Sequence, residues 1–194
     1  MKLSLSILLA AAIALITMSC SDDGNGTSVD AFDRPAMLRG VADKLIIPSM
    51  NVVDAEALRV SRLSSDLIEN TSPSRATIDT LRSAVLAVTN HWQSIVTYDF
   101  GPAEGALGSM VENIATFPAN AEAIEAFIIS GDTSFQNFQR DTRGLAALDY
   151  LLNIGTPDEI IARFSGEANV NRRVYTSAVA NAIYREIHTV VKSW

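Results

Sequence analysis

Cysteine and histidine are nearly absent from this sequence of 194 residues. It has one cysteine, Cys20, and two histidines, His91 and His188. A single thiol cannot form an internal disulfide, and the common zinc sites need more cysteine or histidine ligands than remain after residue 20. The two histidines lie on different predicted helices that a bundle could bring together. Two residues give no spacing signature, so we interpret them as a chance arrangement of partly exposed side chains.

Catalytic motifs are also missing. The chain contains no Gly-x-Ser-x-Gly, no His-Glu-x-x-His, no phosphate loop and no dinucleotide fingerprint. We therefore assign no catalytic residue. Carboxylates are plentiful, and three of them, Glu112, Glu122 and Glu125, fall where helix caps or solvent-facing positions are expected.

Positive charge is scarce. Lys and Arg number 15 against 22 acidic residues, which gives a formal charge of -7 and a pI near 4.8. A chain with no broad basic surface lacks the electrostatic footprint of nucleic-acid binding, so we predict no nucleic-acid partner. The 48% apolar content and the length together fit one globular domain of ordinary size.

The first 19 residues have the layout of a secretory signal. Lys2 supplies a positive start, and residues 3–18 form an apolar run that is too short and too weakly flanked for a confident membrane span. Removing residues 1–19 removes Lys2, which leaves the body more acidic. We predict a cleaved signal peptide over residues 1–19.

Cys20 follows Thr-Met-Ser directly, and this junction resembles a bacterial lipoprotein signal, in which the cysteine carries a lipid. Asp22 and Asp23 resemble the signal that sends Bacteroidetes lipoproteins to the outer face of the outer membrane. Residues 20–32 are poor in apolar side chains, which predicts a flexible lipidated tether. The expected location is the outer membrane, on the cell surface or the periplasmic face. The alternative is a plain cleaved signal or an uncleaved anchor with an incidental cysteine.

From residue 33 to residue 194 the apolar residues recur three and four positions apart, which is typical of helices. The first helix should run from Asp33 towards Leu67, with a kink or split at Pro48. The second should begin after Pro73 and end at Phe100-Gly-Pro102. Residues 103–117 should be irregular or weakly helical. The later helices should begin near Asn120, at Asp141, and at Thr156 with a Thr-x-x-Glu capping box, and the last should carry residues 175–194.

Two apolar stripes are the clearest signals in the body. The stripe of the second helix contains Ile78, Leu81, Val85, Val88, Trp92 and Ile95, and that of the last helix contains Tyr175, Val179, Ile183, Ile187, Val190 and Trp194. The sequence therefore predicts an all-α fold over residues 33–194, an up-and-down four-helix bundle with short extra helices.

Several short stretches, in their order and spacing, resemble the imelysin family, also called insulin-cleaving membrane proteases. They are Leu45-Ile-Ile-Pro48, His91-Trp92-Gln93, Phe100-Gly-Pro102, Phe117-Pro118, Arg143-Gly144 before Leu-Asp-Tyr-Leu-Leu, and Val191-Lys-Ser-Trp194. The resemblance implies a secreted or lipid-anchored helical protein linked to iron uptake. It also implies two four-helix bundles with a proposed site near their interface, so a protein partner or a second helical bundle is an expected partner.

The family motif is Gly-x-His-x-x-Glu, and this chain departs from it. Gly144 is kept, but Ala146 stands at the histidine position and Asp149 at the glutamate position. By the resemblance, iron or another divalent metal is the expected cofactor, with Asp149 as its one retained ligand. Methyl replaces imidazole at residue 146, so one hard oxygen ligand remains where two different ligands are expected.

Three interpretations of Asp149 stay open at this stage. The acid has a structural role, in which it hydrogen-bonds near a helix or pairs with an arginine such as Arg143, because a charge among apolar residues needs a partner. Alternatively it belongs to a binding site for something other than the family's metal, or it still binds iron.

The expected function is that of an imelysin-like lipoprotein that serves as a binding or accessory component of iron or haem acquisition. The first alternative is a metal-dependent peptidase, which would need a metal-bound water and a base. The second is a non-catalytic structural or interaction fragment, and a large exposed apolar face would favour it.

Overall fold

The helices follow the sequence periodicity closely. The computed structural model describes residues 32–105, 108–135 and 139–194, and these residues contain helices and no strands. The predicted all-α fold is confirmed. The predicted signal peptide, the lipidation site Cys20 and nearly all of the predicted tether lie outside the described residues.

Eight α-helices lie in the described ranges. They are α1 (Arg34–Val41), α2 (Ile47–Asp66), α3 (Arg75–Trp92), α4 (Met110–Ala115), α5 (Ala121–Ser130), α6 (Gly144–Asn153), α7 (Pro157–Phe164) and α8 (Val170–Ser193). None of the described helices is long and apolar enough to cross a membrane. Residues Leu38–Trp194 form one compact unit.

Four of the helices form the bundle. Helix α2 packs against α3 and α8, and α6 packs against the same two helices, so each of the four has two neighbours in a closed ring. The short helices α4 and α5 pack against α6 and α8, and α7 packs against α3 and α8. This arrangement confirms a helical bundle with short extra helices.

The predicted apolar stripes form the core. All six stripe residues of α3 and its following turn, Ile78 to Ile95, are buried. The first five of the stripe on α8 are buried as well, and the sixth, Trp194, is partly buried against the core with its ring edge-on to Phe100 at 5.6 Å. Matching stripes on facing helices remove their apolar surface from water, which is the main stabilising contribution to such a bundle.

Pro48 splits the first helix as predicted. Proline has no backbone N–H and its ring clashes with the carbonyl four residues earlier. The chain widens here into a π turn, Ala42–Ile46, in which the Ile47 N–H bonds the Ala42 carbonyl, and α2 then continues with Pro48 in its first turn. The wider turn gives the proline ring the room that a regular helix lacks.

Helix caps match the sequence in two predicted places, Asn120 and Thr156, and differ in one other, Asp141. Asn120 accepts a hydrogen bond from the Ala123 N–H at the start of α5, and Thr156 and Glu159 form the predicted capping box of α7. The prediction that Asp141 opens α6 was wrong. Its carbonyl and carboxylate accept hydrogen bonds from Asn120, and α6 begins at Gly144 without a side-chain cap.

Helix α4 was not predicted as a distinct element. It begins with a capping box in which the Ser109 hydroxyl accepts from the Glu112 N–H and the Glu112 side chain accepts from the Ser109 N–H. Met110 and Ile114, four residues apart, are its buried face. The Ser-x-x-Glu signature in the sequence would have revealed this helix, and it confirms the cap position expected for Glu112.

One buried cation connects three segments of the fold. Arg173 of α8 is only 1% exposed. Its Nε donates to the Ile68 carbonyl just after α2, and its Nη1 donates to the Phe164 and Gly166 carbonyls at the end of α7. These carbonyls lie at or beyond helix C-termini, where no N–H of the same helix reaches them.

We expect Arg173→Ala to lower the free energy of unfolding by at least about 3 kcal/mol, because the buried Phe164 carbonyl and two partly buried carbonyls would lose a charged donor. Urea denaturation measures the loss. The matched control is Arg185→Ala, which removes an exposed arginine from the same helix and should change stability little. Equal losses for the two variants would show that Arg173 has no special role.

Candidate functional site

A groove with a volume of about 740 Å³ lies between α3 and α6. Its floor contains the buried side chains of Val85, Trp92 and Leu145. Arg82 and Leu152 meet near one end, and residues 115–119 line the other, next to the start of α6. Both changed positions of the predicted motif, Ala146 and Asp149, line this groove.

Large apolar side chains stand exposed around the groove. Leu86 is 60% exposed, Phe117 is 84% exposed and Ile154 is 49% exposed. Single exposed apolar residues are normal on protein surfaces, but a group of them around one concave surface is typical of a binding site. None of these three residues was predicted as a site residue.

The polar groups of the groove differ in how fully they are bonded. Arg82 donates from Nε to the Leu152 carbonyl at 2.8 Å and from Nη1 to Asp79 at 3.1 Å. The Tyr150 hydroxyl donates to Glu125. Asp149 is exposed, and its Oδ1 accepts one hydrogen bond, from the Asn153 side chain at 2.8 Å. Among the described residues Asp149 therefore has no cationic partner, and it lies in a groove whose lining is mostly apolar.

Of the two forms of the structural role that we predicted for Asp149, the pair with Arg143 is wrong, whereas a hydrogen bond on the helix agrees with the bond from Asn153. The Arg143 guanidinium points away from the groove and donates to the Phe135 carbonyl and to Asn113 Oδ1. Asp149 was expected to be buried because apolar residues flank it in the sequence. It lies on the exposed side of α6 instead, so solvent and Asn153 satisfy its charge.

Gly144 has a backbone role. Its φ is +82°, and a Cβ atom placed there would lie 2.3 Å from the Ile114 carbonyl oxygen at the end of α4. Only glycine allows both this conformation and this close approach. One turn earlier, the Tyr175 hydroxyl donates to the Thr142 carbonyl at 2.6 Å. Burial raises the pKa of Tyr175 to about 12, so the hydroxyl remains a donor at neutral pH and holds the entry to α6.

The residues at the motif positions do not fit a metal ion. Ala146 offers a methyl group, and Asp149 offers a single carboxylate. Among the described residues no three His, Cys, Asp or Glu side chains come together in a group that could hold a metal. Iron prefers several N or O ligands at fixed geometry, so we derive no chemistry through a metal here.

The two histidines do not form a site together. The His188 Nδ1 lies 3.1 Å from the Asp54 carboxylate across the interface of α2 and α8, and its ring packs against Tyr184 at 5.2 Å. His91 lies near the end of α3 and is exposed. The interpretation of the pair as unrelated side chains agrees with this placement.

Glu125 differs from its prediction as a solvent-facing carboxylate. It is half-buried, accepts from the Tyr150 hydroxyl at 2.9 Å and forms an ion pair with Arg172, which is buried on α8. Burial alone would raise the pKa of Glu125, but the hydrogen bonds from Arg172 and Tyr150 and the Arg172 charge lower that pKa below its ordinary value of 4.5. This cluster joins α5, α6 and α8 behind the groove.

A second cavity of about 530 Å³ lies at the start of α6 and is more polar. Arg143, Asn113 and Glu186 line it, and Asn113 bonds both of the other two through its side-chain amide. The cavity is also lined by Gly105, Gly108 and Phe135, each of which directly adjoins a residue outside the described ranges. We therefore take the groove of α3 and α6 as the candidate site.

Comparisons with family models, with curated proteins and with solved structures found no match for this chain. The resemblance to the imelysin family stays a prediction that depends on the motifs quoted from the sequence.

The sequence placed Ala146 and Asp149 on one helix face but could not reveal the opposite wall. Leu86 lies beside the buried stripe of α3, which includes Val85 and Val88. The stripe would be the same if residue 86 were polar, so the periodicity gave no sign of its role. A large apolar residue just outside a stripe was the available signal. Phe117 gave a weaker one, since it precedes a proline in a loop.

We expect Gly144→Ala to destabilise the fold more than Gly166→Ala, as measured by thermal unfolding. Both glycines have φ near +80°, so both variants carry backbone strain of about 1–3 kcal/mol. Only Gly144 would also place a methyl group against a backbone oxygen, because nothing lies within 4 Å of the Cβ position at Gly166. Equal losses would mean that α4 moves away freely.

We expect the stability difference between the wild type and Glu125→Gln to shrink as the pH falls. The folded-state pKa of Glu125 is lowered, so its contribution is present above the ordinary value near 4.5 and disappears as the pH falls through the lowered one. Urea denaturation at a series of pH values from neutral to acidic measures it. Exposed Glu122, in the first turn of the same helix, provides the control as Glu122→Gln. A difference that is independent of pH would contradict the assignment.

Proposed function

We propose that this protein is a lipid-anchored envelope protein that acts as a binding or accessory component in iron or haem acquisition, with the groove of α3 and α6 as its binding surface. The observation that carries the proposal is the groove itself. It combines exposed Leu86, Phe117 and Ile154 with the single carboxylate of Asp149. Concave, mostly apolar surfaces with few polar groups are the usual binding sites of proteins.

The proposed anchor is a lipid on Cys20, inferred from the lipoprotein-like junction at the end of the apolar run. The link to iron comes from the resemblance to the imelysin family. The proposed role is non-enzymatic, because the groove offers a methyl group at residue 146 and one carboxylate at residue 149, and hydrolysis with a metal would require ligands and a base together.

A second candidate is a non-catalytic structural component that is stable only when another helical bundle covers the groove. The exposed group of Leu86, Phe117 and Ile154 favours it. The two candidates differ in the isolated chain. A binding component unfolds in one cooperative transition without a partner, whereas a dependent fragment lacks such a transition until the partner is added.

The test is growth of the source bacterium with haem as its sole iron source. We expect deletion of the gene to slow growth and the wild-type gene to restore it. Genes carrying Cys20→Ala or Leu86→Asp should restore it poorly, because the first removes the proposed anchor and the second places a charge in the groove.

The matched control is Leu38→Asp, which changes an exposed leucine of α1 that lies outside the groove. It should restore growth fully if it accumulates to the same level. Normal growth of the deletion strain would contradict the link to iron or haem. Calorimetry with ferrous iron on Asp149→Ala and on the double variant Ala146→His, Asp149→Glu adds a check. Tight binding by the wild type that Asp149→Ala abolishes would contradict the non-metal role.

A further inference from the structure

The charged side chains that line the groove restrict which ligands it can bind. Two charged side chains line it, Arg82 and Asp149. The guanidinium of Arg82 already bonds a carboxylate, Asp79, and a carbonyl, that of Leu152. The carboxylate of Asp149 bonds only the neutral side chain of Asn153 among the described residues, through Oδ1. Among the described residues, the positive charge that lines the groove is therefore paired with a carboxylate, and the negative charge of Asp149 has no cationic partner.

The remaining polar groups cannot offset this charge. The Tyr150 hydroxyl is committed to Glu125, so it does not donate into the groove. Asn153 already donates to Asp149, which holds the carboxylate at a fixed place along α6. The groove is also lined by three neutral polar side chains, Ser83, Thr89 and Gln93. The Asp149 carboxylate therefore repels an anionic ligand, whereas a cation can form a charge-assisted hydrogen bond with its second oxygen, Oδ2.

The apolar surface specifies the rest of the ligand. Leu86, Phe117 and Ile154 surround a floor formed by Trp92 and Leu145, and Ala146 lies one turn before Asp149. A cavity of about 740 Å³ is within the range of about 300–1,000 Å³ that is typical of sites for small molecules. An apolar ligand body placed there would cover side chains that now face water, which is favourable by roughly 25 cal/mol per Å² of area.

We propose that the groove binds a small amphiphile with one cationic group, whose amine bonds Asp149 and whose apolar body lies over Leu86, Phe117 and Trp92. This inference rests on the groove being a binding surface, as proposed above, and not on the link to iron. In this proposal Asp149 binds an amine, and its role does not depend on a metal ion.

The test uses three probes with the same ten-carbon chain and different head groups, namely decylamine, decanol and decanoate, below the concentrations at which they aggregate. At neutral pH the amine is positive and the carboxylate is negative. Trp92 lines the groove, and Trp194→Phe leaves it as the only tryptophan. Its fluorescence then reports binding next to the groove in the full chain.

We expect decylamine to bind several-fold tighter than decanol and decanol tighter than decanoate. Asp149→Asn should remove the preference for the amine while leaving decanol binding unchanged. Asp158→Asn is the matched control, because it removes an exposed carboxylate from α7, outside the groove, and so measures the general attraction of an acidic protein for cations. Leu86→Asp should weaken the binding of decanol, and Leu38→Asp should leave that binding unchanged.

Equal affinities for the three probes would overturn the proposal. It would also be overturned if the preference for the amine survived Asp149→Asn or was lost equally in Asp158→Asn. Absence of all binding, together with a larger particle in sedimentation that Leu86→Asp reduces to the monomer, would overturn it in favour of a second copy of the chain. None of these outcomes depends on growth with haem, so failure of the ligand class and failure of the iron link are distinguishable.

Discussion

The contact of Arg173 with three backbone carbonyls is the constraint on which the end of the bundle near the C-termini of α2 and α7 depends. It holds the end of α2, the end of α7 and the body of α8 at one point. A second link lies beside it, where the Gly166 N–H donates to the Thr71 carbonyl at 2.7 Å. Helix ends carry carbonyls that their own helix cannot satisfy, and the planar guanidinium of Arg173 bonds three of them. The charge of an arginine is thus used where a neutral side chain could supply fewer donors.

Periodicity was enough to predict most of the fold. The stripes of α3 and α8, the split at Pro48 and the caps at Asn120 and Thr156 are local signals, and local signals determine helices. The errors came where a residue's partner lies far away in the sequence. Asp141 bonds Asn120 rather than capping α6, and Glu125 bonds Arg172 of α8 rather than water. Nothing in the neighbourhood of either acid distinguishes these outcomes, because both partners are brought close only by the packing of the helices.

Only one wall of the candidate site was predictable, because the other wall lies far away in the sequence. Ala146 and Asp149 are one turn apart on α6, and the sequence placed them on one face. The opposite wall belongs to α3, whose register against α6 no short pattern specifies. Where the resembling family has a metal ligand, this chain has a methyl group that forms part of an apolar surface, and the acid that remains is exposed and lightly bonded.

The hydrogen bond between Arg82 and the Leu152 carbonyl has a consequence for recognition. It joins the two walls of the groove directly, since Arg82 belongs to α3 and Leu152 to α6, and the ion pair with Asp79 keeps the guanidinium from turning away. The spacing of the walls is therefore fixed before anything enters between them. A guest of the right width loses little free energy to reorganisation of its host, while a wider one has to break a charged hydrogen bond. Selection by such a surface operates through the thickness of the guest as well as its charge.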